Sequence, residues 1–334
     1  MKKKQVNAIA VSKKAGVSQS TVSRVFTPGL NVSEKSRRKV LEAAEELGYR
    51  PNALARGLIM NKTNMIGLVM SDVQNPFYPE ILEKFTKGLR AKGYHLLFVH
   101  TENNRIQQDD ISEFLEYNVE GVIFTDALLS SNVVSKLQDN NIPVILFNRT
   151  IKNNPCHYVC CDNYTAGKEI GHYLINKGHK KLAYISGNEN TSTSIERENG
   201  FRESLKNNNI NLIVEEGGYT YEQAYQTTVN LLKSPNRPEA IFCANDIMAL
   251  GAIDAAKYLG ILIPDELSVV GFDDIKMASW PPYSLTTWKQ PVDQMIRETI
   301  KSLLNEIENK NTGNVSILLP GNLIERNSVK GKTI

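Results

Sequence analysis

Asp72, Asn75, Asn148, Arg149, Asp162, Asn245, Asp246, Asp273 and Asp274 each stand at or just beyond the end of an apolar run. Where such runs are strands of an open α/β sheet, ligands bind beyond their carboxyl ends. The Asp273–Asp274 pair could be a catalytic pair, a pair of metal ligands, a turn after a strand, or hydrogen-bonding partners for a hydroxylated ligand; with no partnered base in view the last is preferred. Enzyme signatures are missing. The chain has no Gly-x-x-x-x-Gly-Lys-Ser/Thr loop, no Gly-x-Gly-x-x-Gly, no His-Glu-x-x-His and no Gly-x-Ser-x-Gly elbow. The five His (95, 100, 157, 172, 179) lack metal-ligand spacing. Cys160 and Cys161 fall in one apolar run, so they point to opposite faces and suit packing rather than a metal. No catalytic or metal-ligating set is expected, and no cofactor.

A second chemistry lies in the first 60 residues. They hold 12 Lys/Arg against 4 acids, a net of +8, while the remaining chain is −5, although the whole is only +3. A small basic head on a mildly acidic body suits a polyanionic partner.

The elements that must position these groups follow from periodicity. In the head, residues 8–14 read as a short helix with Ile9 and Ala10 available for burial, and Ala15-Gly16-Val17 as a turn. Ser18 is a good N-cap for a second helix over 19–26, with Val22 and Val25 inward and Gln19, Ser20, Ser23 and Arg24 outward. A third helix begins after Ser33, carries a stripe of Val40, Leu41, Ala44 and Leu47, and ends at Gly48. Two short helices around a Gly turn make a helix-turn-helix, whose second helix is the usual groove reader. Beyond residue 62, strands and helices alternate. Strands are expected at 65–70, 95–100, 121–125, 143–148, 158–161, 181–186, 240–244, 267–272 and near 315–319. Helices are expected at 78–92, 107–117, 130–140, 164–177, 195–208, 221–233, 246–258 and 291–309. Continuous apolar strands suit a parallel sheet covered on both faces, so the class is α/β behind an all-α head.

The run Ala15-Gly16-Val17-Ser18-Gln19-Ser20-Thr21-Val22-Ser23-Arg24-Val25 and the connector Gly48-Tyr49-Arg50-Pro51-Asn52-Ala53-Leu54-Ala55-Arg56-Gly57-Leu58 closely resemble the lactose-repressor/galactose-repressor family of bacterial transcription regulators. The likeness continues through Asn75-Pro76-Phe77-Tyr78, Arg197-x-x-Gly200-Phe201, Asn245-Asp246-x-Met248-Ala249-Leu250-Gly251, Val269-Val270-Gly271-Phe272-Asp273-Asp274, Leu285-Thr286-Thr287 and Leu318-Leu319-Pro320. It spans essentially the whole chain, with Ala10-Val11-Ser12 as a local departure from the usual Asp-Val-Ala.

The resemblance implies a helix-turn-helix DNA-binding domain over 1–50, a hinge helix over 51–61, and a two-lobed periplasmic-binding-protein-like core over 62–334. Lobe 1 would take about 62–162 and 291–320, and lobe 2 about 163–290 and 321–330. It implies a near-palindromic double-stranded DNA operator, a homodimer, and a small-molecule effector between the lobes. Ser18, Gln19, Ser20, Thr21 and Arg24 would face DNA, Gln19 and Arg24 reading bases and Thr21 and Ser18 touching phosphate. In the hinge, Asn52 and Ala53 would join the DNA contact and Leu58 would wedge into the minor groove. Arg197, Asn245 and Asp273 match effector-binding positions, as do Asp72, Asn75, Asn148, Arg149, Thr193 and Gln290, with Phe77, Tyr78 and Tyr219 as apolar or stacking surface. Carboxylates accepting from hydroxyls, with amides and guanidiniums donating back, are sugar-type chemistry. Arg149 beside Asn148, with Arg197, also leaves room for a sugar acid.

The expected function is therefore repression of a carbohydrate or sugar-acid operon. Two alternatives stay open: a catabolite-control-type regulator gated by a phosphocarrier protein, and a solute-binding protein feeding a transporter. The second is disfavoured by the basic head and by the lack of an apolar stretch after Met1-Lys2-Lys3-Lys4. No run approaches the roughly 18 apolar residues of a membrane span. A cytoplasmic protein is expected, its four Cys kept as thiols, and the absence of a leucine-heptad tail before Ile334 favours a dimer.

Overall fold

The computed structural model describes residues 6–27, 30–50, 62–101, 106, 108–126, 131–151, 156–206, 208, 210–308 and 315–331. The chain divides into two compact units, Met1–Asn64 and Met65–Ile334.

The first unit contains helices α1 (Ala8–Ala15), α2 (Gln19–Val25) and α3 (Glu34–Leu47). Asn7 caps α1, and Gly16 ends it in the left-handed conformation (φ 65°), which glycine adopts without a Cβ penalty. Its core is Val11, Ala15, Val22, Val25, Val40, Ala43 and Ala44. Two sequence expectations shift here. Ile9 is 47% exposed, because the i, i+4 pair Val11/Ala15 sets the phase of α1. Leu41 is 46% exposed, because the buried stripe of α3 runs through Val40, Ala43 and Ala44.

The second unit has two six-stranded sheets. Strands β1 (Met65–Met70), β2 (His95–His100), β3 (Gly121–Phe124), β4 (Val144–Phe147), β5 (His157–Cys161) and β11 (Ser316–Leu319) form a parallel sheet in the order β11-β5-β4-β3-β1-β2. Strands β6 (Lys181–Ser186), β7 (Asn211–Glu216), β8 (Ala240–Cys243), β9 (Ser268–Asp273), β10 (Thr286–Lys289) and β12 (Asn322–Ile324) form the other, in the order β12-β10-β9-β8-β6-β7. Its β10–β12 pair is antiparallel. Helices α4 (Phe77–Ala91), α5 (Gln108–Glu116), α6 (Ser131–Asp139) and α11 (Val292–Ile307) accompany the first sheet. Helices α7 (Asn163–Asn176), α8 (Ser192–Leu205), α9 (Tyr221–Lys233) and α10 (Asp246–Tyr258) accompany the second. The chain crosses between sheets after Cys161, after Lys289 and between Leu319 and Asn322.

Strand order reverses between β1 and β3 in one sheet and between β6 and β8 in the other. These switch points open crevices at the strands' carboxyl ends, where a ligand has room. Helices α7 and α8 meet at backbone distance: a Cβ on Gly167 would lie 2.2 Å from the Arg197 carbonyl oxygen, and one on Gly200 1.9 Å from that of Tyr164. This glycine contact sets α8, and with it Arg197.

Candidate functional site

On the head, Ser18 Oγ accepts from Thr21 N at 3.1 Å, capping α2. Its hydroxyl also meets Ser20 Oγ at 2.7 Å and Thr21 Oγ1 at 2.9 Å. Ser18, Gln19, Ser20 and Arg24 are exposed and Thr21 partly so, while Val22 and Val25 are buried. The outward face of α2 is thus polar and ends in a cation, as a groove-reading helix requires. Asn52, Ala53 and Leu58 lie outside the described residues.

Within the core, a cleft of about 670 Å³ is lined from both lobes. The first sheet's side supplies Asp72, Asn75, Phe77, Tyr78, Asn148 and Arg149, and the second's supplies Thr193, Arg197, Tyr219, Asn245 and Asp273. Gln290 departs from the expectation. It does not line this cavity but sits behind Asp273, donating its Nε2–H to Asp273 Oδ1 at 2.7 Å. Strand β10 ends one residue before it, which aims the side chain at β9 rather than into the cleft. Asp274 is likewise drawn away, accepting from Arg326 Nη2 at 2.6 Å.

Each lining residue is fixed by local chemistry. Asp72 Oδ1 accepts from Asn75 N at 3.1 Å, and Asn75 Oδ1 from Phe77 N at 3.1 Å, so this turn caps α4 while facing the cleft. Asn245 caps α10 through Met248 N at 3.0 Å. Arg197, 2% exposed, donates through Nε to Asn163 Oδ1 at 2.8 Å and through Nη1 to the Ala244 carbonyl. Its guanidinium carbon lies 3.5 Å from the Phe272 ring centroid. Tyr219 Oη and Thr193 Oγ1 pair at 3.0 Å, and the Tyr219 ring lies where a Gly187 side chain would be.

Asn148 (φ 58°), Tyr219 (φ 64°) and Asp273 (φ 121°) all hold left-handed backbone. Non-glycine residues there store strain of order 1–3 kcal/mol each, and such strain clusters at ligand clamps. The Asn148 Oδ1 and Asn245 Nδ2 atoms are buried in the cleft wall without a hydrogen-bond partner among the described residues. Buried polar atoms ordinarily find a partner, so these amides are free for a guest.

The electrostatics match. Burial raises the Asp273 carboxyl to about 7 despite Arg197 and the Gln290 amide. Burial also raises Asp72, with Asp126 adding to it. Asp246 is pushed well above the carboxylate range by burial and by Asp273. It does not reach the cleft; it accepts from Thr287 Oγ1 at 2.5 Å and Ile275 N at 2.8 Å.

Asp126 escaped the sequence reading. Its Oδ1 accepts from Ser71 N at 2.9 Å and Thr125 Oγ1 at 2.6 Å, and its Oδ2 from Ser71 Oγ at 2.6 Å and Asp72 N at 2.5 Å. It clamps the turn that carries Asp72. The signal was present, since Asp126 follows the β3 run as Asp72 follows β1.

Residues 10–52 match the family model for bacterial regulatory proteins, lacI family, and residues 66–278 match the periplasmic binding protein domain. The HTH-type transcriptional repressor PurR of Erwinia tasmaniensis is 34% identical over 325 residues, covering 96% of this chain and 95% of that protein. The chain belongs to the lacI family of bacterial regulatory proteins. Catabolite control protein A of Priestia megaterium is 32% identical over 326 residues, covering 96% and 98%. Among solved structures, the Lac repressor dimer bound to operator and the anti-inducer ONPF aligns with TM-score 0.87 and 28% identity, covering 98% of this chain and all of that one. The CelR–cellobiose complex aligns with TM-score 0.72 and 27% identity, covering 97% and 99%. This lacI-family protein is accordingly a DNA-binding transcriptional repressor with an effector-binding core. No described helix is long and apolar enough to cross a membrane.

Proposed function

We propose that this repressor acts as a homodimer on a near-palindromic operator controlling a carbohydrate or sugar-acid operon in the cytoplasm, and that a hydroxylated small effector in the interlobe cleft switches it. The observation that carries this reading is the cleft itself: carboxyls, amides and guanidiniums converge from both sheets, with two buried amide atoms unsatisfied among the described residues. Gln19 and Arg24 read base edges, and Leu58 wedges the minor groove. The solved CelR–cellobiose complex supports a saccharide-type guest. The similarity to catabolite control protein A favours a second reading, in which a phosphocarrier protein gates the repressor. The unsatisfied amides favour the small molecule. A guest must prefer one lobe arrangement to shift the equilibrium, and contacts from both lobes supply that preference.

A thermal-shift panel of sugars, polyols and sugar acids tests the effector, since a ligand at 100 times its Kd stabilises by about 2.7 kcal/mol. Stabilisation by a panel member that also alters operator gel shifts supports the reading. If no panel member shifts the protein and a phosphocarrier protein does, the second reading replaces it.

A further inference from the structure

The cleft of about 670 Å³ is lined by two kinds of charged group, carboxyls and guanidiniums. The carboxyls are Asp72, Asp126 and Asp273. Among the described residues, Asp126 accepts four hydrogen bonds, from Ser71, Asp72 and Thr125, which occupy its lone-pair directions. Asp72 and Asp273 are raised by burial, Asp273 to about 7. Carboxyls raised in this way hold their proton more readily, so they can donate to a hydroxyl as well as accept from one and repel an anion less than ionised carboxylates would.

The guanidiniums are Arg149 and Arg197. Arg149 makes no ion pair among the described residues, and the hydrogen-bond and ring partners of Arg197 are neutral, the Asn163 amide, the Ala244 carbonyl and the Phe272 ring, while the Asp273 carboxyl feels its charge. The Cys160 thiol, held well above its ordinary range by burial and by Glu196, feels both guanidiniums. Thr150 N donates to Ser192 Oγ at 3.0 Å, tying the Arg149 loop to the first turn of α8. That turn adds the partial positive charge of a helix N-terminus. Asn245, 2% exposed and with its Nδ2 unpartnered among the described residues, lines the same cleft. Two guanidiniums with no ion pair among the described residues, beside an Asp273 carboxyl that burial raises to about 7, favour an anionic guest.

We propose that the effector is a hydroxylated acid, an aldonate or uronate type of sugar acid, whose carboxylate docks between Arg149 and Arg197 while its hydroxyls meet Asp72 and Asp273. This deepens, and rests on, the effector-cleft reading above. Arg149 is the specificity-determining residue, because the other guanidinium is already engaged by protein acceptors.

The test uses full-length protein and matched probes: galacturonate against galactose, and gluconate and glucuronate against glucose and sorbitol. Titration calorimetry should find at least one acid binding about tenfold or more tighter than its neutral counterpart, with affinity falling as salt rises. Arg149→Gln should weaken that acid by about 10- to 100-fold, as expected for a hydrogen bond to a charged group, and narrow the acid–neutral gap. Arg149→Lys should recover part of the loss. Preferential binding of a neutral sugar, or an Arg149→Gln variant with unchanged acid affinity, overturns the acid assignment and leaves the cleft reading standing. Failure of every probe, acid and neutral, overturns both.

Discussion

Replacing Arg197 by alanine separates two roles that one side chain combines. Its guanidinium donates to Asn163 Oδ1 at 2.8 Å and to the Ala244 carbonyl, and it stacks on Phe272 at 3.5 Å. Asn163 in turn donates to the Cys161 carbonyl at 3.0 Å, where the chain crosses between lobes. Alanine would leave two buried acceptors without a donor. Hydrogen bonds from a charged donor are worth about 1.5–3 kcal/mol each, and the cation–π contact adds up to about 2. Relief from holding an unpaired cation at 2% exposure offsets part of this. A net loss of about 3–5 kcal/mol follows, or roughly 6–10 °C at about 2 °C per kcal/mol for a domain of this size. Differential scanning calorimetry without ligand measures it. An unliganded melting temperature within 2 °C of wild type would refute the structural half of the role and return Arg197 to ligand contact alone. Loss of effector response in Arg197→Ala is therefore ambiguous by itself, and Asp273→Asn is the cleaner cleft variant.

Arg24→Ala should cost about 1–3 kcal/mol at the cognate site and relax preference at one base pair; equal weakening on random DNA in a competition gel shift would make Arg24 a phosphate contact instead. Asp273→Asn should flatten the stability–pH profile. The folded carboxyl binds its proton up to about pH 7, raised by burial and by Asp72 against the lowering pull of Arg197 and the Gln290 amide, so wild type loses stability as pH rises from about 4 toward 7, at most about 1.4 kcal/mol per unit. The variant should gain on wild type in melts at pH 8 relative to pH 5, and an identical difference at both would contradict the sign. Asp126→Asn turns an amide N–H₂ toward donors from Ser71 and Asp72, so hydrogen exchange at residues 71–78 should quicken and effector affinity should fall several-fold; unchanged exchange there would deny Asp126 its clamping role.

The parallel core strands were legible because both their faces are buried: the runs at 65–70 and 181–186 match the observed strands at both ends, and edge strand β2 also matches at 95–100 although only its Val99 is buried. The strands that escaped have no such signal. Strand β7 is an edge strand with Glu215 and Glu216 exposed, β10 reads Thr-Thr-Trp-Lys, and β12 spans three residues at a lobe crossover. Helix α8 begins at Ser192 rather than 195 because Thr191 caps it, accepting from Ser194 N at 3.4 Å. In the site, strand-end position picked out residues in the right crevice, but it could not separate those facing the guest from those bracing the wall. Asp273 and Asp274 are neighbours with different fates, since the unusual backbone at 273 turns one inward and Arg326 captures the other. Gln290 and Asp126 needed the fold, because their partners lie in other strands or turns.

In the proposed switch, occupancy of the cleft controls the operator affinity of the head. Its most direct test is a fluorescence-anisotropy titration of full-length protein on its selected DNA site, with and without the panel member that binds best. Preference for a two-fold-related site is expected, with a log K that falls by about 0.9 per phosphate neutralised as log salt rises. Operator affinity should change by about 5- to 150-fold when the cleft is filled, and effector affinity by the same factor on DNA. Operator affinity indifferent to a cleft-bound effector would contradict it.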